Sequence, residues 1–192
     1  RRVTTEMEQE RPSVGWLRSF PVVESTSNLA KYPGGKRPRI IDAPFDQNEA
    51  IYARGYVPRL PELGHVSEKL GSVFQACGTT GDIASSFYGL RINRPETVRF
   101  RDSTGVLYEM LVSMMGSVVS VEKQQIITSV MAGHADYALQ PAPLPRPDVW
   151  VDNIRYTGSE ELVNRCGEFA RRNAKDMSIA LNMDENPRTL YT

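Results

Sequence analysis

The sequence predicts an α+β fold, with helices backing one face of an antiparallel sheet, and three observations lead there. Residues 98–100 and 107–112 are β runs divided by Asp102-Ser103-Thr104-Gly105, the composition of a hairpin turn. Residues 121–132 and 159–173 carry apolar side chains at helical spacing. Residues 149–154 form a short apolar β run emerging from a proline cluster.

Each element follows from local chemistry. Residues 1–13 are polar and charged and read as a frayed lead-in or solvated helix. In YPGGKRPRIID (32–42), Gly34-Gly35 marks a turn, Pro38 excludes helix, and Ile40-Ile41 favour a strand over 39–42. A short helix is expected over 46–53, before Pro58 and Pro61 break the chain. Residues 73–74 and 80–83 read as a strand ending near Asp82, and 84–90 as a helix or tight corner. The 121–132 helix, with Val121, Ile126, Ile127, Val130 and Met131 as its apolar set, has Ser120 as candidate N-cap and Gly133 as stop; it should pack under a sheet. PAPLPRP (141–147) cannot donate ladder hydrogen bonds and serves as an extended connector. The 159–173 helix has a capping box at Thr157 and Glu160, and a face of Leu162, Val163, Cys166, Phe169 and Ala170. Residues 178–182 and 189–192 read as closing strands.

Composition narrows the function classes. A chain of 192 residues, at roughly 100–200 per domain, is one domain or two small lobes with a real core. Cys77 and Cys166 are too few for a disulfide framework and lack zinc-ligand spacing, which points to a reducing, intracellular compartment, nuclear or cytoplasmic alike. No apolar stretch approaches the ~20 residues of a membrane span, so no membrane partner is expected. The opening Arg1-Arg2-Val3 has no leader character, and the chain reads as a piece of a longer protein. With 23 basic and 23 acidic side chains, nucleic-acid binding would depend on local charge: Lys31, Lys36, Arg37 and Arg39 around one turn, and Arg91, Arg94, Arg99 and Arg101 in a second cluster. His65 and His134 lack carboxylate partners in the sequence and receive no role.

Two segments carry chemistry. Gly81-Asp82-Ile83-Ala84-Ser85-Ser86-Phe87 places a carboxylate at a strand end and an aromatic five positions on; Val149-Trp150-Val151-Asp152-Asn153-Ile154 places a carboxylate inside a β run. Aspartate is a poor strand former, so each needs a turn or a cationic partner. Brought together, two such groups make an oxygen-rich site suited to Mg²⁺ and to two-metal phosphoryl transfer. A single Asp at a hairpin tip is, by itself, ordinarily a turn residue.

A basic β segment, Asp-x-x-x-x-Phe, a Gly-containing loop feeding a helix, and x-Val-Asp-x, in that order from about Lys31 to Leu190, resemble the fingers and palm of a reverse transcriptase. The likeness is nearest to retrotransposon enzymes of the tyrosine-recombinase branch (DIRS or VIPER type). It implies a lead-in at 1–13, a fingers-like region at 14–72 and a palm-like region at 73–192, with the thumb absent. It also implies that Asp82 and Asp152 are the catalytic carboxylates and that the Ile83 carbonyl is a further metal ligand. The ions are Mg²⁺, with Mn²⁺ as substitute. Trp150-Val151-Asp152-Asn153 stands where the family has Tyr-x-Asp-Asp, so its second aspartate is an amide here.

By the same resemblance, Phe87 is a steric gate against the ribose 2′-hydroxyl, and Met115 with Gly116 lines the nucleotide pocket. Lys31 and Arg39 grip the triphosphate, with Lys36 and Arg37 as alternates for the lysine. The implied activity is template-directed DNA synthesis from deoxynucleoside triphosphates on a primed RNA or DNA template, weak in this fragment. Two other readings compete: a degenerate polymerase-like scaffold that binds nucleic acid or protein, favoured by Asn153 and the neutral charge, and an RNA-directed RNA polymerase. Oligomeric state is not legible.

Overall fold

The computed structural model describes residues 1–12, 20–23, 36–39, 45–58, 60, 77–102, 104–114, 116–133, 147–184 and 188–189. Its helices are α1 (Thr5–Glu10), α2 (Phe45–Ala53), α3 (Val118–Ala132) and α4 (Glu160–Asp176). Its strands are β1 (Phe20–Val23), β2 (Lys36–Arg39), β3 (Cys77–Ile83), β4 (Arg99–Arg101), β5 (Leu107–Glu109), β6 (Asp148–Trp150), β7 (Asn153–Gly158), β8 (Leu181–Met183) and β9 (Arg188–Thr189). Mixed helix and antiparallel sheet make this the α+β fold expected. Among the described residues no helix is long and apolar enough to cross a membrane.

The chain forms two compact units, Arg1–Val57 with Phe87–Ser120 and Pro58–Ser86 with Val121–Thr192. In the second, five strands run in the order β6-β7-β3-β8, with β9 also pairing β3. β7 pairs β3 along its length, from Cys77 opposite Gly158 to Asp82 opposite Asn153. On the other edge β3 meets β9 at Cys77–Gly78 and β8 at Gly81–Ile83. Alternation along β3 sends Thr79, Gly81 and Ile83 inward and leaves Thr80 and Asp82 exposed.

The inward face of the sheet packs on α4. Val163, Cys166, Gly167, Ala170 and Ala174 recur at helical spacing and are buried. Ile83, Val149, Ile154, Tyr156, Met131 and Ala132 complete the core. Two polar anchors tie α3 into it: Tyr156 Oη donates to the Ala132 carbonyl (2.8 Å) and Asn173 Nδ2 to the Met131 carbonyl (2.9 Å). Burial raises the Tyr156 hydroxyl and the Cys166 thiol above their ordinary pKa values, so both stay neutral and unreactive. Cys77 and Cys166 are free thiols.

In the first unit, β4 and β5 form the expected hairpin, with Phe100 stacked on Tyr108. Asp102 closes its turn by accepting from Thr104 N, Thr104 Oγ1 and Val106 N at 2.7–3.0 Å. The Thr104 hydroxyl leads the hydrogen bonds that hold this carboxyl below its ordinary pKa. Two buried charges meet across the strands, Arg99 and Glu109, each about 1% exposed and 3.3 Å apart.

Several elements differ from expectation, each for a local reason. The start of the chain is pinned: Thr4 caps α1, Val3 N donates to the Leu107 carbonyl, and the Arg1 side chain pairs with Glu109. β2 begins at Lys36, and residues 40–42 lie outside the described set. Its register sets Pro21 opposite Pro38, confining both missing N–H donors to one rung. α3 starts at Val118, because Asn48 Oδ1 accepts from Val118 N (3.2 Å) and replaces Ser120 as cap. Gly133, at φ +76°, is the stop foreseen.

Between its buried apolar ends, Val118 and Met131-Ala132, the buried side of α3 is polar, with Gln124, Gln125, Thr128 and Ser129 inside, while Ile126 and Val130 are exposed. The cap of α4 is Ser159, whose hydroxyl accepts from Leu162 N, and the helix continues to Asp176. Ser178, at φ +56°, turns the chain before β8.

Candidate active site: two aspartates at the ends of paired strands

β3 is central in its sheet, so its last residues are held from both sides: Asp82 lies opposite Asn153 on β7 and opposite Asn182 on β8. β6 and β7 join through a two-residue turn, Val151-Asp152, closed by the Trp150–Asn153 pair. Ile83 N donates to the Asp152 carbonyl (3.0 Å), extending the β3–β7 ladder into the turn. The two carboxylates, 70 positions apart in sequence (152 − 82), are thus brought to adjoining strand ends.

The turn itself is strained. Val151 sits at φ +56° while Asp152 is not in the positive-φ region, the pattern of a II′ hairpin whose first position ordinarily goes to glycine. A β-branched residue there costs about 1–3 kcal/mol. Gln125 offsets it: Oε1 accepts from Val151 N (2.6 Å) and Nε2 donates to the Val149 carbonyl (3.1 Å). Two such bonds contribute about 0.5–1.5 kcal/mol each, the same size as the strain.

Both oxygens of Asp152 are engaged. Ser86 Oγ donates to Oδ2 (3.0 Å), and Asn153 Nδ2 donates to Oδ1 (3.1 Å). Asn153, which removes a negative charge from the site, therefore supplies a donor to the charge that remains. Each oxygen keeps a lone pair for a further partner. Although Asp82 is exposed, its carboxyl is held above its ordinary pKa, first by partial desolvation at the strand end and then by the charge of Asp152. Among the described residues no group of three or more His, Cys, Asp or Glu side chains converges on a metal position. Two carboxylates beside strand-end carbonyls make a hard oxygen environment of the kind that suits Mg²⁺.

The raised Asp82 pKa has a consequence for stability. Below the unfolded value of 3.8 both states bind the proton and nothing is lost. As pH rises through the higher native value, the native state must ionise a carboxyl it disfavours, and stability falls. In chelator, Asp82→Asn should melt higher than wild type at pH 7, and the gap should close below pH 3.8; thermal melts across pH check this.

The other expected site residues divide by place. Phe87 is half-buried in a 3₁₀ turn, Ser86–Gly89, that follows the Ala84-Ser85 corner. Gly116 sits at φ +91°, a conformation open to it because it has no Cβ; its carbonyl accepts from Asn48 Nδ2 (2.8 Å). Lys36, Arg37 and Arg39 are residues of β2. Lys31, Met115, His65 and His134 lie outside the described residues.

Of the second basic cluster, one member is withdrawn from solvent while Arg94 stays largely exposed. Arg99 is buried against Glu109 and also donates to the Arg11 carbonyl (2.6 Å), so it cannot reach a phosphate. Arg94 pairs with Glu96, and Arg101 donates to the Gly105 carbonyl. Sequence reasoning missed Ser86 and Gln125. The signal for Gln125 was a polar set, Gln124, Gln125, Thr128 and Ser129, at the i, i+1, i+4, i+5 spacing that shares one helix face.

No protein-family model matches the sequence, and no curated protein matches it. Solved structures do. The crystal structure of prototype foamy virus protease-reverse transcriptase (native) matches 92% of this chain at 16% identity, with a TM-score of 0.58. The foamy viral protease-reverse transcriptase in complex with dsDNA matches 89% at 14% identity, with a TM-score of 0.52. This chain spans 21% and 31% of those two chains. At such identities the likeness is one of architecture: the chain has a reverse-transcriptase-like α+β fold.

Proposed function

We propose that this chain is the fingers and palm of an RNA-directed DNA polymerase from a retrotransposon, of the tyrosine-recombinase branch, acting inside the cell. One observation carries the reading: the β3–β7 register sets Asp82 beside the turn that bears Asp152, close enough for the Asp152 charge to raise the Asp82 pKa. Asp82, Asp152 and the Ile83 carbonyl would hold two Mg²⁺ ions, with Mn²⁺ able to substitute. When bound, such ions activate the primer 3′-hydroxyl and stabilise the departing pyrophosphate. The chain's own residues supply position. β3 and the turn fix the two carboxylates, Ser86 and Asn153 orient Asp152, and no protein nucleophile is required. Primed RNA or DNA template and deoxynucleoside triphosphates are the substrates. Lys31, Lys36 and Arg39 bind the triphosphate, and Met115 and Gly116 line its pocket.

Phe87 is the discriminating residue between DNA and RNA synthesis. With a steric gate there, Phe87→Ala in the active polymerase should accept ribonucleotides at least tenfold better relative to deoxynucleotides, read from single-nucleotide incorporation. An unchanged preference would favour the RNA-polymerase reading.

A second reading is a catalytically degenerate, polymerase-like scaffold. It is favoured by Asn153, which leaves one aspartate in the turn and sets an amide against it. Titration with Mn²⁺, followed by the loss of its free paramagnetic signal, separates the two. The polymerase reading requires a site that vanishes in Asp82→Ala, and the scaffold reading requires none.

A further inference from the structure

Gln125 is 5% exposed and reaches the candidate site only through the main chain. Its amide bonds to the peptide groups on either side of Trp150, at Val149 O and Val151 N, as an added strand would. The orientation of the amide is fixed by its partners, since a carbonyl only accepts and an N–H only donates. Helix α3 holds the side chain in turn: Nε2 also donates to Ser129 Oγ (3.4 Å), and Ser129 Oγ donates to the Gln125 carbonyl (2.7 Å). The anchored residue, Val151, is the strained one, and Asp152 follows it directly. Freed from the clamp, a valine at φ +56° has every reason to leave that conformation, and the peptide it shares with Asp152 would rotate with it.

We infer that Gln125 is a positioning residue: from beneath the sheet it locks the Val151 peptide and so sets where Asp152 stands against Asp82. Its metal consequence rests on the reading of the aspartate pair given above; its conformational claim does not. Gln125 touches neither substrate nor metal, and acts through Val151. Ser86 and Asn153 orient the carboxylate once the backbone has been placed.

The test uses the chain as it stands, with Gln125→Met, which keeps length and loses both bonds, and Gln125→Glu, which keeps the acceptor and loses the donor. Amide hydrogen exchange gives a metal-free readout at Ile83, whose acceptor is the Asp152 carbonyl. In Q125M the Val151 and Ile83 amides should exchange at least tenfold faster, with Thr79 and Tyr156 on the same β3–β7 ladder unchanged. In Q125E their protection should return on acidification, as the protonated carboxyl again donates to Val149. Affinity for Mn²⁺ should fall at least tenfold in Q125M.

Wild-type protection at Ile83 and Val151 in both folded variants overturns the inference. So does faster exchange with Mn²⁺ affinity within twofold of wild type. A wild-type chain that takes up no Mn²⁺ through Asp82 defeats the metal reading instead, and the exchange arm then decides on Gln125 alone. Should Q125M fail to fold, the pH response of Q125E decides in the same way.

Discussion

Replacing Arg99 with Met should lower the unfolding free energy by about 3–5 kcal/mol, because Glu109 would be left as a buried charge without its partner. Both side chains are about 1% exposed, so water cannot step in. Arg99 also donates to the Arg11 carbonyl, and the loss of that bond adds to the effect. The Arg1 guanidinium, which also pairs with Glu109, is 54% exposed and compensates only weakly from the solvent side. Urea denaturation followed by circular dichroism measures the difference. The double variant R99M/E109L should recover much of it, since an apolar pair of similar volume is often as stable as the ion pair it replaces. A single variant within about 1 kcal/mol of wild type would mean that the pair is solvated.

Removing either aspartate should have the largest effect on function. Asp152→Asn keeps the shape of the turn and a partner for Ser86, so its melting temperature should stay near that of wild type. It nonetheless deletes half the charge of a two-carboxylate site. Under the polymerase function proposed above, with Lewis-acid stabilisation worth several kcal/mol, primer extension should fall on the order of 10³-fold or more, about 4 kcal/mol at 1.4 kcal/mol per tenfold. Asp82→Ala should fall at least as far and should abolish the Mn²⁺ site. Extension that survives Asp82→Ala, with Mn²⁺ uptake unchanged, would remove these residues from the reaction. The fold likeness to foamy virus enzymes would then be an architecture kept for another purpose.

The candidate site was legible in part because strand chemistry is local. An aspartate inside Val151-Asp152-Asn153-Ile154 has no comfortable place except a turn, and a turn is where it lies. The polar face of α3 shows the limit of such reasoning. Hydrophobic periodicity assigned Val121, Ile126, Ile127, Val130 and Met131 inward; Met131 is buried as expected, but Ile126 and Val130 are exposed, and Gln124, Gln125, Thr128 and Ser129 are buried instead. A glutamine goes inside when a main-chain donor and acceptor wait for its amide, and that pair is supplied by β6 and the turn, some 25 residues on. Arg99 dropped out of the basic cluster for the converse reason. Arg99 reads as a surface cation until Glu109, ten residues later on the paired strand, removes it from solvent.

By itself the sequence determined the α+β class, the β4–β5 hairpin, the glycine stop of α3 and the places of Asp82 near a strand end and Asp152 in a turn, because turn chemistry and side-chain period act over a few residues. Only the tertiary structure decided which strands are neighbours, and with that the meeting of Asp82 with Asp152, the cap that Asn48 provides, and the grip of Gln125 on a strained valine. Those outcomes depend on hydrogen bonds between segments tens of residues apart, whose partners no local pattern specifies.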